Sequence, residues 1–448
     1  MAWQNQPSLW NVLQIMDNSS TAALTALEQM ATRVKASSRA LARTNTAQRD
    51  GALEQMATAI LDHSASILEA NKADLAAARE KGLADAFVDR LALDEARLGK
   101  MATAIREVIA LPDPLGGVDT MWQRPNGLMV GKKRIPLGAI GIIYESRPNV
   151  TSDATALCLK SGNGVLLKGG SDAFSSNRAI YQAMTNGLQA SALPLAARQA
   201  IGFVDTTERD AVKHMLGLSE HLDLIIPRGG KGLIRFVSEH SRIPVIKHDE
   251  GVCHVVVDGS APADRVEAIA LNAKTQRPGV CNAAETILVL ESATQNHLPV
   301  LLKALTDANV IIHACEQGVE AARALGLDEE KVRPATESSW GEEYLALEVA
   351  LRVVPDLDAA IAHIDAHGSN HTESIVTDDW DMGQRFLREV DSSVVLVNAS
   401  TRFADGGELG LGAEIGISTT RMHAYGPMGL KELTTTKFIV MGEGQIRN

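Results

Sequence analysis

Between residues 20 and 110, apolar positions recur at three- and four-residue spacing through Thr21–Ala42, Ala52–Ala70 and Leu93–Leu111, with charged residues between them. That period puts the apolar side chains on one helical face and predicts a helical block. Ala26–Thr32 and Ala52–Thr58 are the same heptapeptide, but no third copy follows, so this is a coincidence of Ala-rich helices and not a solenoid. Pro112, Pro114, Gly116 and Gly117 close the block. Leu128-Met129-Val130 and Ala139–Ile143 then read as strands around a Lys132-Lys133-Arg134 turn.

Short apolar runs alternating with helical segments follow. Gly164–Lys168, Ala200–Val204, Leu222–Ile226, Pro244–Ile246 and His254–Val257 predict strands, with a helix around Glu208–Leu218. A second alternating block runs from Glu285–Leu290 to Val394–Asn398, with helices at His297–Ala308 and Leu357–His367. Apolar runs linked by helices predict parallel sheets covered on both faces, an α/β, doubly wound architecture in two units. Ligands of such folds sit beyond the carboxyl ends of the strands.

Composition narrows the function. The chain has 448 residues, enough at roughly 150 per domain for two or three domains. Aromatic residues are only 4 % against 45 % hydrophobic overall, so the core must be aliphatic. A net charge of −12 without a basic tract argues against nucleic acid, whose phosphates call for clustered Lys and Arg. No apolar run approaches the roughly 20 residues of a membrane span. Met1–Ser20 lacks the Lys or Arg of a signal or transit peptide, so a cytoplasmic protein is expected. Cys158, Cys253, Cys281 and Cys315 are far apart and form no CxxC pair, which speaks against a disulfide framework or thiolate zinc site.

Four features are candidates for chemistry. Gly229, Gly230 and Gly232 follow a predicted strand beside Arg228 and Lys231, and exposed N–H groups at such a helix start can hold phosphate; a plain tight turn is the alternative. Gly410–Gly416 does not fit a dinucleotide fingerprint and reads as a structural loop. His363, His367 and His371 have helical spacing, but Gly368 interrupts them and no carboxylate pairing supports a metal, so none is expected. Cys281 stands between a Pro278-Gly279 turn and a strand, with Arg277 nearby. That setting offers a thiolate the positive surroundings it requires, the alternative being a small buried hydrophobe.

Read with Ile142–Asn149, His371–Thr377, Asn398–Met422 and Gly426–Phe438, the segment Arg277–Thr286 resembles the aldehyde dehydrogenase superfamily, closest to its γ-glutamyl phosphate reductase branch. The resemblance covers nearly the whole chain from about residue 20. It implies a nucleotide-binding domain (1–120 and 137–254), a catalytic domain (255–425) and an oligomerisation β-arm (121–136 and 426–448). It further implies that Cys281 is the nucleophile, that Lys168 contacts the adenosine ribose, that Gly229, Gly230 and Gly232 hold the pyrophosphate, and that Glu343 meets the nicotinamide ribose.

The implied reaction is NADPH-dependent reduction of L-glutamyl 5-phosphate through a Cys281 thioester, serving proline biosynthesis. A homo-oligomer and functional coupling to a glutamate 5-kinase, which makes that labile substrate, are also implied. The Pro-Trp-Asn-Phe-Pro of ordinary aldehyde dehydrogenases is replaced by Tyr144–Asn149, leaving Asn149 or Ser146 to complete the oxyanion hole, with Asn149 favoured. The Glu-Leu-Gly-Gly of hydrolytic members is replaced by Lys247–Val252, in which Glu250 is a candidate relic of its base, the alternative being no role at all. Arg147 and Arg402 are candidates for the substrate's carboxylate or phosphate, surface arginines being the alternative. A non-phosphorylating NAD(P)-dependent aldehyde dehydrogenase is the rival reading.

Overall fold

The computed structural model describes residues 9–247 and 250–447, with side chains for all of these but residues 9–22 and 86. The chain packs as two units. One holds the residues up to Ile246 and those from Gly429, and the other is Lys247–Met428.

The first unit begins with helices Leu9–Leu41, Thr46–Asp62, Ser64–Glu80, Asp85–Leu91 and Glu95–Ala110. The expected single helix over Ala52–Ala70 is two, broken at His63, whose ring Nδ1 lies 2.9 Å from the Ala59 carbonyl oxygen. Strands β1 (Val118–Gln123) and β2 (Met129–Pro136) follow, then β3 (Ala139–Tyr144), β4 (Gly164–Gly169), β5 (Ile201–Phe203) and β6 (Leu224–Arg228). The last four form a parallel sheet in the order β5-β4-β3-β6, with β3 and β4 buried along their whole length. Pro244–Ile246 contributes only a bridge of Val245 to Ile225, since Pro244 has no N–H to extend a ladder.

The second unit is built on seven parallel strands: β7 (Cys253–Val257), β8 (Ala284–Leu290), β9 (Ile311–Ala314), β10 (Val332–Pro334), β11 (Glu348–Val354), β12 (Thr372–Val376) and β13 (Val394–Val397). Their order is β10-β9-β11-β8-β7-β12-β13. Alternate side chains of the central strands fill opposite faces. Val255, Val257, Ile287 and Val289 pack into one apolar cluster; Val256, Leu288 and Leu290 pack into another with Ile364 and Phe386. Both faces are therefore covered, which is why these strands read as unbroken apolar runs. Because β7 is hydrogen-bonded between β8 and β12, the division of the chain precedes it and does not fall at 254/255.

A short hairpin of β14 (Gly416–Ser418) and β15 (Gly426–Met428) also belongs to this second unit, so 426–428 is not part of the arm. The final strand, β16 (Thr434–Met441), pairs antiparallel with β2 along eight positions, giving a three-stranded sheet β1-β2-β16. Lys132-Lys133-Arg134 is thus strand and not turn. The cations occupy the sheet faces, Lys132 lying 5.4 Å from the Phe438 ring centroid, while β1 and β16 satisfy the β2 backbone on either side. A partner about 300 residues away is invisible to local pattern.

Candidate active site

In the first unit, register sets Tyr144 beside Gly169 and Arg228, so three loops leave the carboxyl edge of the sheet side by side. They carry Glu145–Asn149, Gly170–Asp172 and Gly229–Gly232. Asn149 opens the helix Asn149–Lys160, and its Nδ2 donates to Asp153 Oδ2 at 2.8 Å. Arg147 is exposed and Ser146 half-buried on the same loop. Lys168 is buried at the end of β4, its Nζ donating to the Gly169 carbonyl at 3.0 Å, and burial holds its ammonium below the usual lysine range.

Gly230 caps the helix Lys231–His240 and donates its N–H to Glu145 Oε2 at 2.8 Å. A Cβ on Gly229 would fall 2.5 Å from that same oxygen, so glycine is what lets the carboxylate approach. Glu145 is a residue that sequence reasoning passed over. An anionic oxygen at a glycine-rich helix start is the arrangement phosphate would use.

In the second unit, Cys281 lies half-exposed on the turn between the helix Ala263–Thr275 and β8. Three segments of the unit support this turn. Gly251 packs against its backbone so closely that a Cβ there would lie 2.0 Å from the Cys281 carbonyl oxygen. The Gly251 N–H donates to Glu343 Oε1 at 2.9 Å, which places Glu343 beside the Cys281 turn. Asn282 Nδ2 donates to the Ala404 carbonyl at 2.9 Å, tying the turn to the loop that bears Arg402.

Arg402 is half-buried and its Nε donates to Gln276 Oε1 at 2.8 Å. Burial, and then the neighbouring Arg277, hold its guanidinium below the usual arginine range, while Asp405, Cys281 and Cys253 act in the opposite sense. A cation that has lost part of its hydration is well prepared to pair with an anion. Glu250 precedes Gly251; His248 and Asp249 lie outside the described residues.

Cys253 donates its thiol to the Cys281 carbonyl at 3.2 Å and lies 3.6 Å from His371 Nδ1. Burial and the Glu373 carboxylate push that thiol well up, so it serves as a buried donor behind the turn. His363 faces Arg352 at 3.0 Å and Gly368 ends the helix before His371. Among the described residues, no group of three or more His, Cys, Asp or Glu side chains is placed to hold a metal ion. Nor is any of their helices long and apolar enough to cross a membrane.

No protein-family model matches the chain. The γ-glutamyl phosphate reductase of Geobacter metallireducens is 58% identical over 374 residues, which are 84% of this chain and 87% of that protein. The crystal structure of γ-glutamyl phosphate reductase from Thermotoga maritima is 44% identical and has a TM-score of 0.90, covering 94% of this chain and 100% of the other. An acetylating aldehyde dehydrogenase from Geobacillus thermoglucosidasius shares the fold at 16% identity, with a TM-score of 0.66 over 96% of this chain and 99% of its own. With its aldehyde dehydrogenase-like fold and relatives matched across most of its length, this chain belongs to the γ-glutamyl phosphate reductase family.

Proposed function

We propose that the chain reduces L-glutamyl 5-phosphate to L-glutamate 5-semialdehyde and phosphate in proline biosynthesis, with Cys281 as nucleophile. The observation that carries this reading is the presentation of Cys281: a half-exposed thiol on a turn held from behind by Gly251 and Cys253 and tied through Asn282 to the loop that bears Arg402. Its thiolate attacks the acyl carbon, the carbon–oxygen bond to phosphate breaks, and a thioester is left on the enzyme. The backbone N–H of Cys281 is assigned to the oxyanion, and Asn149 keeps the oxyanion role read for it from the sequence. Arg402, on the unit that carries Cys281, is assigned to an anionic group of the substrate, and Arg147 stays a candidate on its own loop. A water-activating base has no part in this sequence of steps, consistent with the replaced Glu-Leu-Gly-Gly motif.

The first unit suits a nicotinamide dinucleotide. Gly229 leaves space that a Cβ would fill, Gly230 N–H already bonds an anionic oxygen, and Lys168 stands at the strand end alongside. NADPH, when bound, supplies the hydride that takes the thioester to the aldehyde level. Gly229, Gly230 and Gly232 would hold its pyrophosphate and Lys168 its adenosine ribose. Glu343 keeps the ribose role that the family resemblance implies. The sheet β1-β2-β16 exposes Val118, Met121, Phe438 and Val440, and we assign it to contact between subunits.

The test is oxidation of glutamate 5-semialdehyde with NADP⁺ and with NAD⁺, each with and without phosphate. Turnover that requires phosphate or arsenate is expected. Equal rates without either would instead make the protein a non-phosphorylating aldehyde dehydrogenase.

A further inference from the structure

Directly behind the Cys281 turn lies a pair that the reaction above does not use. Lys274, in the last turn of the helix entering the turn, donates to Glu285 Oε2 at 2.5 Å; Glu285 is the second residue of the strand leaving it. Both side chains are wholly buried, so the ion pair closes the base of the nucleophile turn away from water. The other Glu285 oxygen, Oε1, accepts the N–H of Leu345 at 3.3 Å. Leu345 has φ of 51°, a left-handed conformation that a branched residue seldom adopts without support. Two residues earlier is Glu343, which accepts the N–H of Gly251, and Gly251 packs on the backbone of Cys281.

The contacts therefore close a ring from Lys274 through Glu285, the 343–345 segment and Gly251 back to the Cys281 turn. We propose that Glu285, neutralised by Lys274, is a positioning residue that sets Glu343 and Cys281 in register through its grip on Leu345. The inference rests on the reading of Cys281 as nucleophile and Glu343 as ribose ligand. A buried ion pair alone is poor evidence of stabilisation, because isosteric apolar replacements are often as stable. The second carboxylate oxygen, spent on a strained backbone N–H next to the site, is what makes this pair more than a core filler.

Two uncharged double variants separate the roles. K274M/E285Q keeps an oxygen for the Leu345 N–H, and K274M/E285M removes it at similar volume. In the Met/Met variant the KM for NADPH is expected to rise about tenfold, and the iodoacetamide labelling of Cys281, followed by mass spectrometry, to change about tenfold. The Met/Gln variant is expected to stay within about threefold of wild type in both. Thermal midpoints of the two should agree, which removes stability as the cause. If the two variants behave alike, whether both impaired or both normal, the positioning role is refuted. A C281S enzyme that kept full turnover, or an E343Q enzyme with unchanged KM, would overturn the underlying reading instead, and the labelling comparison would still stand by itself.

Discussion

The carboxylate of Glu145 accepts the N–H of Gly230 at 2.8 Å, where the helix Lys231–His240 begins. A negative charge thus already sits at the seat assigned to pyrophosphate, favoured there by the helix dipole. Dinucleotide binding must displace it. E145A is expected to lower the Kd for NADP⁺ by about threefold to tenfold, since one such exposed charged contact is worth about 1 kcal/mol. Isothermal titration calorimetry measures this; weaker binding in E145A would mean that Glu145 helps the ligand and does not stand in for it.

Gly251 meets backbone of Cys281, not the end of a flexible side chain, so no rotamer change can make room for a methyl group. G251A should cost about 1–3 kcal/mol of stability and lower turnover about 100-fold through a displaced thiol. G99A, where an added Cβ meets nothing within 4 Å, is the control and should keep wild-type activity.

Loss of one member of the Lys274–Glu285 pair leaves a buried charge without its partner. K274M is expected to destabilise by about 3–5 kcal/mol, and K274M/E285M to recover most of that loss. Urea unfolding of the three proteins decides it, and a double variant no more stable than K274M would contradict the argument.

Burial pushes the Asp153 carboxyl up from its ordinary 3.8 to about 6, against the hydrogen bonds from Asn149 and Ser152. The folded protein then holds this proton more tightly than the unfolded chain does. Stability from this group therefore falls as pH rises from about 4 to about 6 and is level above that. D153N should be more stable than wild type by about 1–2 kcal/mol near pH 8 and equal to it near pH 4. A stability difference independent of pH would assign the effect to packing.

C281S retains the shape of the turn while removing the thiolate. Turnover should fall about a thousandfold or more, with the Kd for NADP⁺ unchanged. Residual activity near the wild-type level would place the nucleophile elsewhere.

How much was legible in advance differs by element. The strands Gly164–Gly169 and Ala284–Leu290 and the helix Leu357–His367 show their period plainly, because each buries the face or faces that its apolar residues mark. Strand β2 is legible only in its first residues, Met129 and Val130, since what makes Lys132-Lys133-Arg134 a strand is pairing with Thr434–Met441. The break at His63 escaped because apolar spacing runs on through a change of helix axis. In the site, the Pro-Gly turn and nearby Arg marked Cys281, whereas Glu145, Gly251 and Cys253 carry no local signal. Glu285, four residues beyond Cys281, was in view, but its partner Leu345 was not.

Sequence by itself determined the fold class and the family and marked Cys281 as the proposed nucleophile, because periodicity and motif are properties of neighbours along the chain. Only the tertiary structure decided what stands behind that thiol, which carboxylate occupies the glycine-rich helix start, and how Lys274 and Glu285 close the Cys281 turn. Those are contacts between segments up to about a hundred residues apart, and their strength comes from burial, which a linear pattern does not specify.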